Sequence, residues 1–377
     1  MRFKLQGISV LLLLSLPLLL PGCRESESKR IERLEQALKT DQKAAAKEEI
    51  EKELARLSTG ESRKIEEPGF RSLRRSLSGS SVFWIQENRL KFLNPDRESI
   101  TLSGAPYEFR TSPSGNFAAV LFKRESDCAL RIYSIEDRKA LGDEIPALCF
   151  PAFTVSDDGR SIYYTEDKWI KKSTFDEDHE NLHTENFTEI KNFAPRFARS
   201  TNRFELYAAA DNSLLVFFGA AGYYRLYSVL KNTAPRMLDQ GFSRPTLYGL
   251  LKTDPLAQNQ TAEDPKIFAQ ALWGGTGQYK IRPISLAPVV SIGAGRPIPS
   301  TTNTACVNSS QDCYILKNGL LARVKESGRT ETLPLLALSF EIFQSGILFQ
   351  TKDGLYLREG SFSDYEMNLV RLHESAF

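Results

Sequence analysis

The chain has 377 residues, enough to bury a large core and to build roughly two or three domains. Its 49 Lys and Arg against 47 Asp and Glu leave a net charge of +2, which excludes the strong basic field of a nucleic-acid-binding protein. Aromatic residues are plentiful, 23 Phe and 13 Tyr beside 3 Met and 3 His, a profile that suits a β-rich globular protein.

The N-terminus opens with a short basic region, Arg2 and Lys4. An apolar stretch follows from Ile8 to Leu20, rich in Leu and broken by Pro17. A basic start, a short apolar core and small residues before a cut describe a secretory signal, too short to span a bilayer comfortably. The sequence Leu20-Pro21-Gly22-Cys23 resembles the lipobox of bacterial lipoproteins, in the looser form found in spirochaetes. That resemblance implies a signal peptide over residues 1–22. It also implies acylation of Cys23, which becomes the mature N-terminus and anchors the chain in the bacterial outer membrane, facing periplasm or cell surface. Several acyl chains hold stably, since each buried CH₂ contributes about 0.8 kcal/mol.

From Arg24 to about Glu67 roughly half the residues are charged, and aromatic residues are almost absent. Ile31, Leu34 and Leu38 share one helical face; Ile50, Leu54 and Leu57 share another. Glu35 with Lys39, and Glu48 with Lys52, are pairs one turn apart in the favourable order. The pattern predicts a helix over Lys29–Leu57, about 43 Å long at 1.5 Å per residue. Thr59-Gly60 and Pro68-Gly69 are stop signals. Residues 23–67 therefore read as a charged helical spacer, either a stalk with a weak coiled-coil seam or a solvated linker. Arg71, Arg74 and Arg75 read as a solvated boundary segment, or as contacts for anionic headgroups.

Beyond the spacer the sequence repeats. Phe109, Phe153 and Phe197 recur at a fixed interval of 44 residues, and Ser112, Ser156 and Ser200 recur with them. Each copy reads strand, tight turn, strand, because Ser-x-x-Gly between apolar runs is turn chemistry. Repeats of about 40–45 residues with four short strands are the signature of propeller blades. The phrase Phe153-Thr154-Val155-Ser156-Asp157-Asp158-Gly159-Arg160-Ser161-Ile162-Tyr163 resembles the repeat of the Tol-system propeller protein and its relatives, which include the propellers of some peptidases. In that family this is the turn between a blade's first two strands. Counting strands over the rest of the chain predicts an all-β fold over 68–377, a propeller of about seven four-stranded blades. The set Val82–Gln86, Arg89–Leu93 and Ile100–Ser103 stands at the front. The polar stretch Thr253–Asp264 reads as a loop inserted within a blade.

Four cysteines lie in this region: Cys128, Cys149, Cys306 and Cys313. In an exported chain an even number suggests two disulfides, and four cysteines allow three connectivities. Cys128 opens a third strand and Cys149 closes the fourth strand of the same blade, so these two are expected to pair. Cys306 and Cys313 flank one short loop and are expected to pair likewise.

Candidate chemistry is sparse. His179-Glu180-Asn181-Leu182-His183 matches the HExxH signature of zinc peptidases, in which two His one helical turn apart hold the metal and the Glu acts as base. The repeat register instead makes Asp176–Asn181 a turn and Leu182-His183-Thr184 the start of a strand. Ser156-Asp157-Asp158-Gly159 lacks the Asp alternation of a calcium loop. Gly274-Gly275-Thr276-Gly277 reads as a hairpin turn. No catalytic, metal or cofactor set is expected. The reading is a lipid-anchored, non-enzymatic propeller that engages another protein of the envelope. The alternatives are an envelope hydrolase using the HENLH stretch and a surface-exposed ligand or host-factor binder.

Overall fold

The computed structural model describes residues 25–376, without 77–80, 194–202, 209–213, 221–222, 242–245, 252–267, 276–277, 286–290, 293–295, 299–303, 307–312, 344–345 and positions 95, 126, 232 and 326. The side chains of 241–312 also lie outside the description. So do the expectations for Cys23, Phe197, Ser200 and the loop Thr253–Asp264. The chain divides into two compact units, one of the residues up to Leu57 with Phe362 onward, the other Ser58–Ser361.

The larger unit is a seven-bladed β-propeller. Its sheets are all antiparallel and follow chain order. Blade 1 is Arg71–Arg75, Val82–Gln86, Arg89–Asn94 and Asp96–Thr101; blade 2 is Pro106–Thr111, Phe117–Lys123, Cys128–Ser134 and Lys139–Ala147. Blade 3 is Phe153–Val155, Ser161–Glu166, Trp169–Phe175 and Leu182–Glu189; blade 4 is Arg203–Ala208, Leu214–Ala220, Tyr223–Val229 and Arg236–Gly241. Blade 5 is Thr246–Leu251, Phe268–Gly275 and Gln278–Ser285, with an outer strand broken into Ser291–Ile292 and Arg296–Ile298. Blade 6 is Thr304–Cys306, Cys313–Lys317, Leu320–Val324 and Thr330–Leu336. Blade 7 is Ser339–Phe343, Gly346–Thr351 and Gly354–Arg358, and its outer strand is Arg63–Glu66 from the other end of the chain.

The first strands of neighbouring blades lie against one another, at blades 2 with 3, 3 with 4, 6 with 7 and 7 with 1, so these strands form the inner ring. The core sits between blades. A strand shows alternate side chains to its two faces, so a blade packed on both sides reads as a continuous apolar run. In Val82-Phe83-Trp84-Ile85, Phe83 and Ile85 pack towards blade 2 with Phe109, Val120 and Phe122. Val82 and Trp84 pack towards blade 7 with Leu348, Leu355 and Ile65.

One turn is used repeatedly. The N–H of Ser112 donates to the carbonyl of Phe117 at 2.8 Å, and the N–H of Phe117 donates back to Ser112 Oγ at 3.2 Å. Ser156 with Ser161 repeats this pair at 2.8 and 2.9 Å, and Ser76 with Ser81 at 2.9 and 3.2 Å. The turns are stitched to one another: Asp157 Oδ1 of blade 3 accepts the N–H of Ser114 of blade 2 at 2.7 Å. Gly159, at φ +69°, lies under the Phe117 ring, where a Cβ would come within 2.3 Å of the ring. The same geometry requires Gly at both the left-handed position and the close approach.

The ring closes differently. Glu66, on the strand borrowed by blade 7, is 4% exposed and meets three donors from blade 1: Lys91 Nζ at 2.6 Å, Arg97 Nη2 at 3.0 Å and Trp84 Nε1 at 3.3 Å. Burial works to raise its pKa, but the Lys91 hydrogen bond and the charges of Arg97 and Lys91 outweigh it and hold the carboxyl below its ordinary value.

The smaller unit contains helix α1 (Glu27–Leu38), helix α2 (Lys43–Gly60, up to Leu57) and helix α3 (Asp364–Ala376). The single helix expected over Lys29–Leu57 is two. It breaks at Lys39-Thr40-Asp41-Gln42, and α2 turns back along α1, with Arg33 at 2.5 Å from Glu49 and Arg30 at 3.3 Å from Glu53. The boundary expected at residue 67 also moves. Arg63–Glu66 is a propeller strand, and α3 packs on α1, with Leu34, Leu38, Ile50, Leu54, Leu369, Val370 and Leu372 buried in this unit. Two amphipathic helices alone leave one apolar stripe uncovered, and α3 supplies the third side.

Candidate functional site

Two features of the propeller stand apart from its packing. The first lies on the face that carries the connections between blades. The pairing of blade 2's first two strands runs Pro106 with Phe122 and then Glu108 with Leu121, so Tyr107 is the extra residue of a bulge. A bulged residue is re-aimed away from the sheet, and Tyr107 is 42% exposed. The connection to blade 3 begins Leu148-Cys149-Phe150, where Leu148 is 52% and Phe150 59% exposed. The two rings meet edge to face, centroids 5.1 Å apart at 71°, and Lys123 Nζ sits 5.4 Å above the Phe150 ring. Cys149 is bonded to Cys128 with 5.1 Å between Cα atoms, which ties this connection to the start of the third strand. Phe150 holds φ +63°, a left-handed conformation uncommon for an aromatic residue. These apolar side chains are held in water by a crosslink and a constrained backbone, outside the core.

The second feature lies on the inner ring. Glu108, next to Tyr107, accepts at one oxygen from Arg74 Nη2 of blade 1 at 3.2 Å, and the same oxygen is ion-paired with Arg110 Nη2 at 2.9 Å. Arg75 points the other way from Arg74, as neighbours on a strand do, and lies 3.9 Å from Glu341 of blade 7. Burial first, then the adjacent Arg110 charge, brings the Arg74 guanidinium down to about 10. Burial pushes the Glu341 carboxyl up to about 7 against the pull of Arg75 and Arg74. Arg71, Arg74 and Arg75 are thus not a boundary segment. They form the inner strand of blade 1, and Arg71 Nη2 donates to the Pro106 carbonyl. Their charges concealed the strand, because its partners are acidic residues of other blades rather than an apolar face.

The remaining sequence candidates fall as follows. His179 sits in a turn where its N–H donates to the Asp176 carbonyl at 3.2 Å and its φ is +58°, the place Gly takes in the blade 2 and 3 turns. His183 lies in the outer strand of blade 3, paired with Thr174. The HENLH stretch is therefore not a helix, and among the described residues no group of three His, Cys, Asp or Glu side chains is arranged to hold a metal. Gly275 pairs with Gln278 across the hairpin expected at Gly274–Gly277. Cys306 and Cys313 are register partners, and Cys313 is disulfide-bonded. No helix among the described residues is long and apolar enough to cross a membrane. Ser76 escaped the repeat pattern although Ser76-Leu77-Ser78-Gly79 carries the same Ser-x-x-Gly signature; its spacing to Ser112 is shorter than 44 residues. Tyr107 and Phe150 carried no sequence signal, since a single exposed aromatic looks like any strand residue.

No protein-family model and no curated protein matches the chain. Among solved structures it is similar to hydrazine synthase of Kuenenia stuttgartiensis, at TM-score 0.47 and 11% identity over 80% of this chain and 98% of that one. It is similar to a functionally unknown protein from Desulfotomaculum acetoxidans, at TM-score 0.44 and 9% identity over 78% and 90%. It is also similar to prolyl oligopeptidase B of Galerina marginata, at TM-score 0.45 and 11% identity over 84% of this chain and 50% of that one. At this level of likeness the fold assignment rests on the sheet topology above, and nothing passes from these proteins to this one.

Proposed function

We propose that this chain is a lipid-anchored protein of the bacterial outer membrane whose propeller binds another envelope protein through the patch of Tyr107, Leu148 and Phe150. The observation that carries the binding site is the exposure of three large apolar side chains, Leu148 and Phe150 on a connection braced by a disulfide and Tyr107 on the strand beside it. Aromatic anchors held rigid before contact are where binding energy concentrates, because little conformational entropy is lost on association. Lys123 beside the Phe150 ring adds a cation at the rim. The support for the anchor is the sequence Leu20-Pro21-Gly22-Cys23 after a basic and apolar start.

A photo-crosslinker in place of Leu148 should capture the partner in intact cells. The added double change Tyr107→Ala and Phe150→Ala should weaken that capture by at least about 30-fold, the loss of one hot spot, while thermal unfolding stays near the parent. Undiminished capture overturns the assigned site. Cys23→Ala should abolish lipid labelling and release the protein from membranes; a variant that stays bound overturns the anchor.

A further inference from the structure

The inner ring of blades 1, 2 and 7 carries more positive than negative charge, in a place where strands of several blades converge. Among the described residues, Arg74 and Arg110 share Glu108 in their ion pairs, and Arg75 pairs with Glu341. Tyr207, on the inner strand of blade 4, lies within electrostatic reach of Arg74 together with Arg110, Glu108 and Glu341. In a seven-bladed ring, blade 4 reaches blade 1 only across the lumen. Arg74 keeps 38% of its side chain accessible and Arg110 21%, both on inner strands that line that lumen.

The hydrogen bonding is incomplete in the same place. One Glu108 oxygen accepts from Arg74 and is the ion-pair partner of Arg110. Arg74 Nε is buried and meets no hydrogen-bond partner among the described residues. A guanidinium carries five donors in a planar fork that matches the paired oxygens of a carboxylate or phosphate. An unsatisfied buried donor favours any ligand that completes it.

We propose that the lumen binds a small oxyanion, a free carboxylate or phosphate, between the guanidinium groups of Arg74 and Arg110. The site is separate from the aromatic patch and does not depend on the partner proposed for it. Burial raises the Glu341 carboxyl to about 7, so protonation below that pH leaves the cluster more positive still.

The test is titration of the full chain in detergent, at low ionic strength, with inorganic phosphate and with succinate, followed by calorimetry. One-to-one saturable binding of at least one of them is expected, with matched sodium chloride giving none. Arg110→Gln should weaken that binding by at least roughly tenfold, since it removes one of two charged forks. Arg110→Lys, which keeps the charge and loses the fork, should fall between. Circular dichroism melting of both variants keeps a folding failure from passing as a binding loss, and Arg74→Gln provides a second variant on another blade. Absence of saturable binding by the folded parent, equal binding in folded Arg110→Gln, or an equal response to chloride overturns the proposal. Binding of phosphatidylglycerol micelles that depends on Arg110, with neither free ion bound, overturns it in favour of a lipid headgroup.

Discussion

Blades 2 and 3 are joined by repetition, and blades 7 and 1 by exception. Between blades 2 and 3 the joint builds on a turn used more than once, in which a serine caps its own turn, and adds a glycine beneath the neighbour's ring and Asp157 reaching back to the Ser114 N–H. At the closing seam nothing repeats. Glu66 arrives from before the first blade and is held by Trp84, Lys91 and Arg97. On the inner side of the same seam Arg75 meets Glu341. Joints of the first kind each draw on short-range turns, so losing one leaves the others standing. The seam is the place where the two ends of the unit are held together, and it depends on a buried charge.

The largest effect is therefore expected at the seam. Glu66→Gln leaves Lys91 and Arg97 without their common buried counter-charge and should destabilise the propeller by about 3–5 kcal/mol. Urea unfolding at neutral pH measures it. The folded pKa of Glu66 lies below its unfolded value, so its contribution is present above the ordinary carboxylate range and lost as pH falls through the folded pKa. The gap between parent and variant should close in acid; a gap that persists there shows that packing rather than charge holds the strand.

The repeated joint should yield less. Gly159→Ala places a Cβ 2.3 Å from the Phe117 ring and strains a left-handed position, and should cost about 2 kcal/mol. Gly328, at φ +80° with nothing within 4 Å, is the control that isolates the backbone term, and its Ala variant should melt closer to the parent. Equal losses at both glycines would show that the ring contact between blades 2 and 3 carries no weight.

The smallest effect divides the seam itself. Glu341 has a folded pKa of about 7, above its unfolded value, so the folded state keeps its proton longer. The stability it contributes is full below the unfolded pKa and is lost as pH rises through about 7. The stability of Glu341→Gln relative to the parent should rise by about 1–2 kcal/mol between pH 5 and 8, discounted because 22% of the side chain stays exposed. The two seam carboxylates should thus respond to pH with opposite sign. A flat difference for Glu341→Gln removes the inner half of that contrast.

Much of the blade architecture was legible because it repeats and because strands buried on both faces are apolar throughout. Runs such as Val82-Phe83-Trp84-Ile85 and Cys313–Lys317 announce themselves. Strands whose partners are charged did not. Arg63–Glu66 and Arg71–Arg75 look like spacer and boundary, because nothing local shows that Glu66 meets Lys91 or that Arg74 meets Glu108. The break between α1 and α2 is marked only by Lys39-Thr40-Asp41-Gln42, polar residues that a solvated helix would also tolerate. The aromatic patch was hidden for a related reason: Tyr107 is exposed by a one-residue bulge, and a bulge is a property of two paired strands.

Sequence alone determined the elements whose causes are short-range: strand, serine-capped turn and strand again, at a period that only a ring of blades explains. Tertiary structure alone decided which strand closes the ring, which charges meet across it, and which rings remain in water. The reason is that turn geometry and alternation are set by neighbours along the chain, whereas a buried carboxylate or an exposed ring is defined by what another blade does or does not place against it.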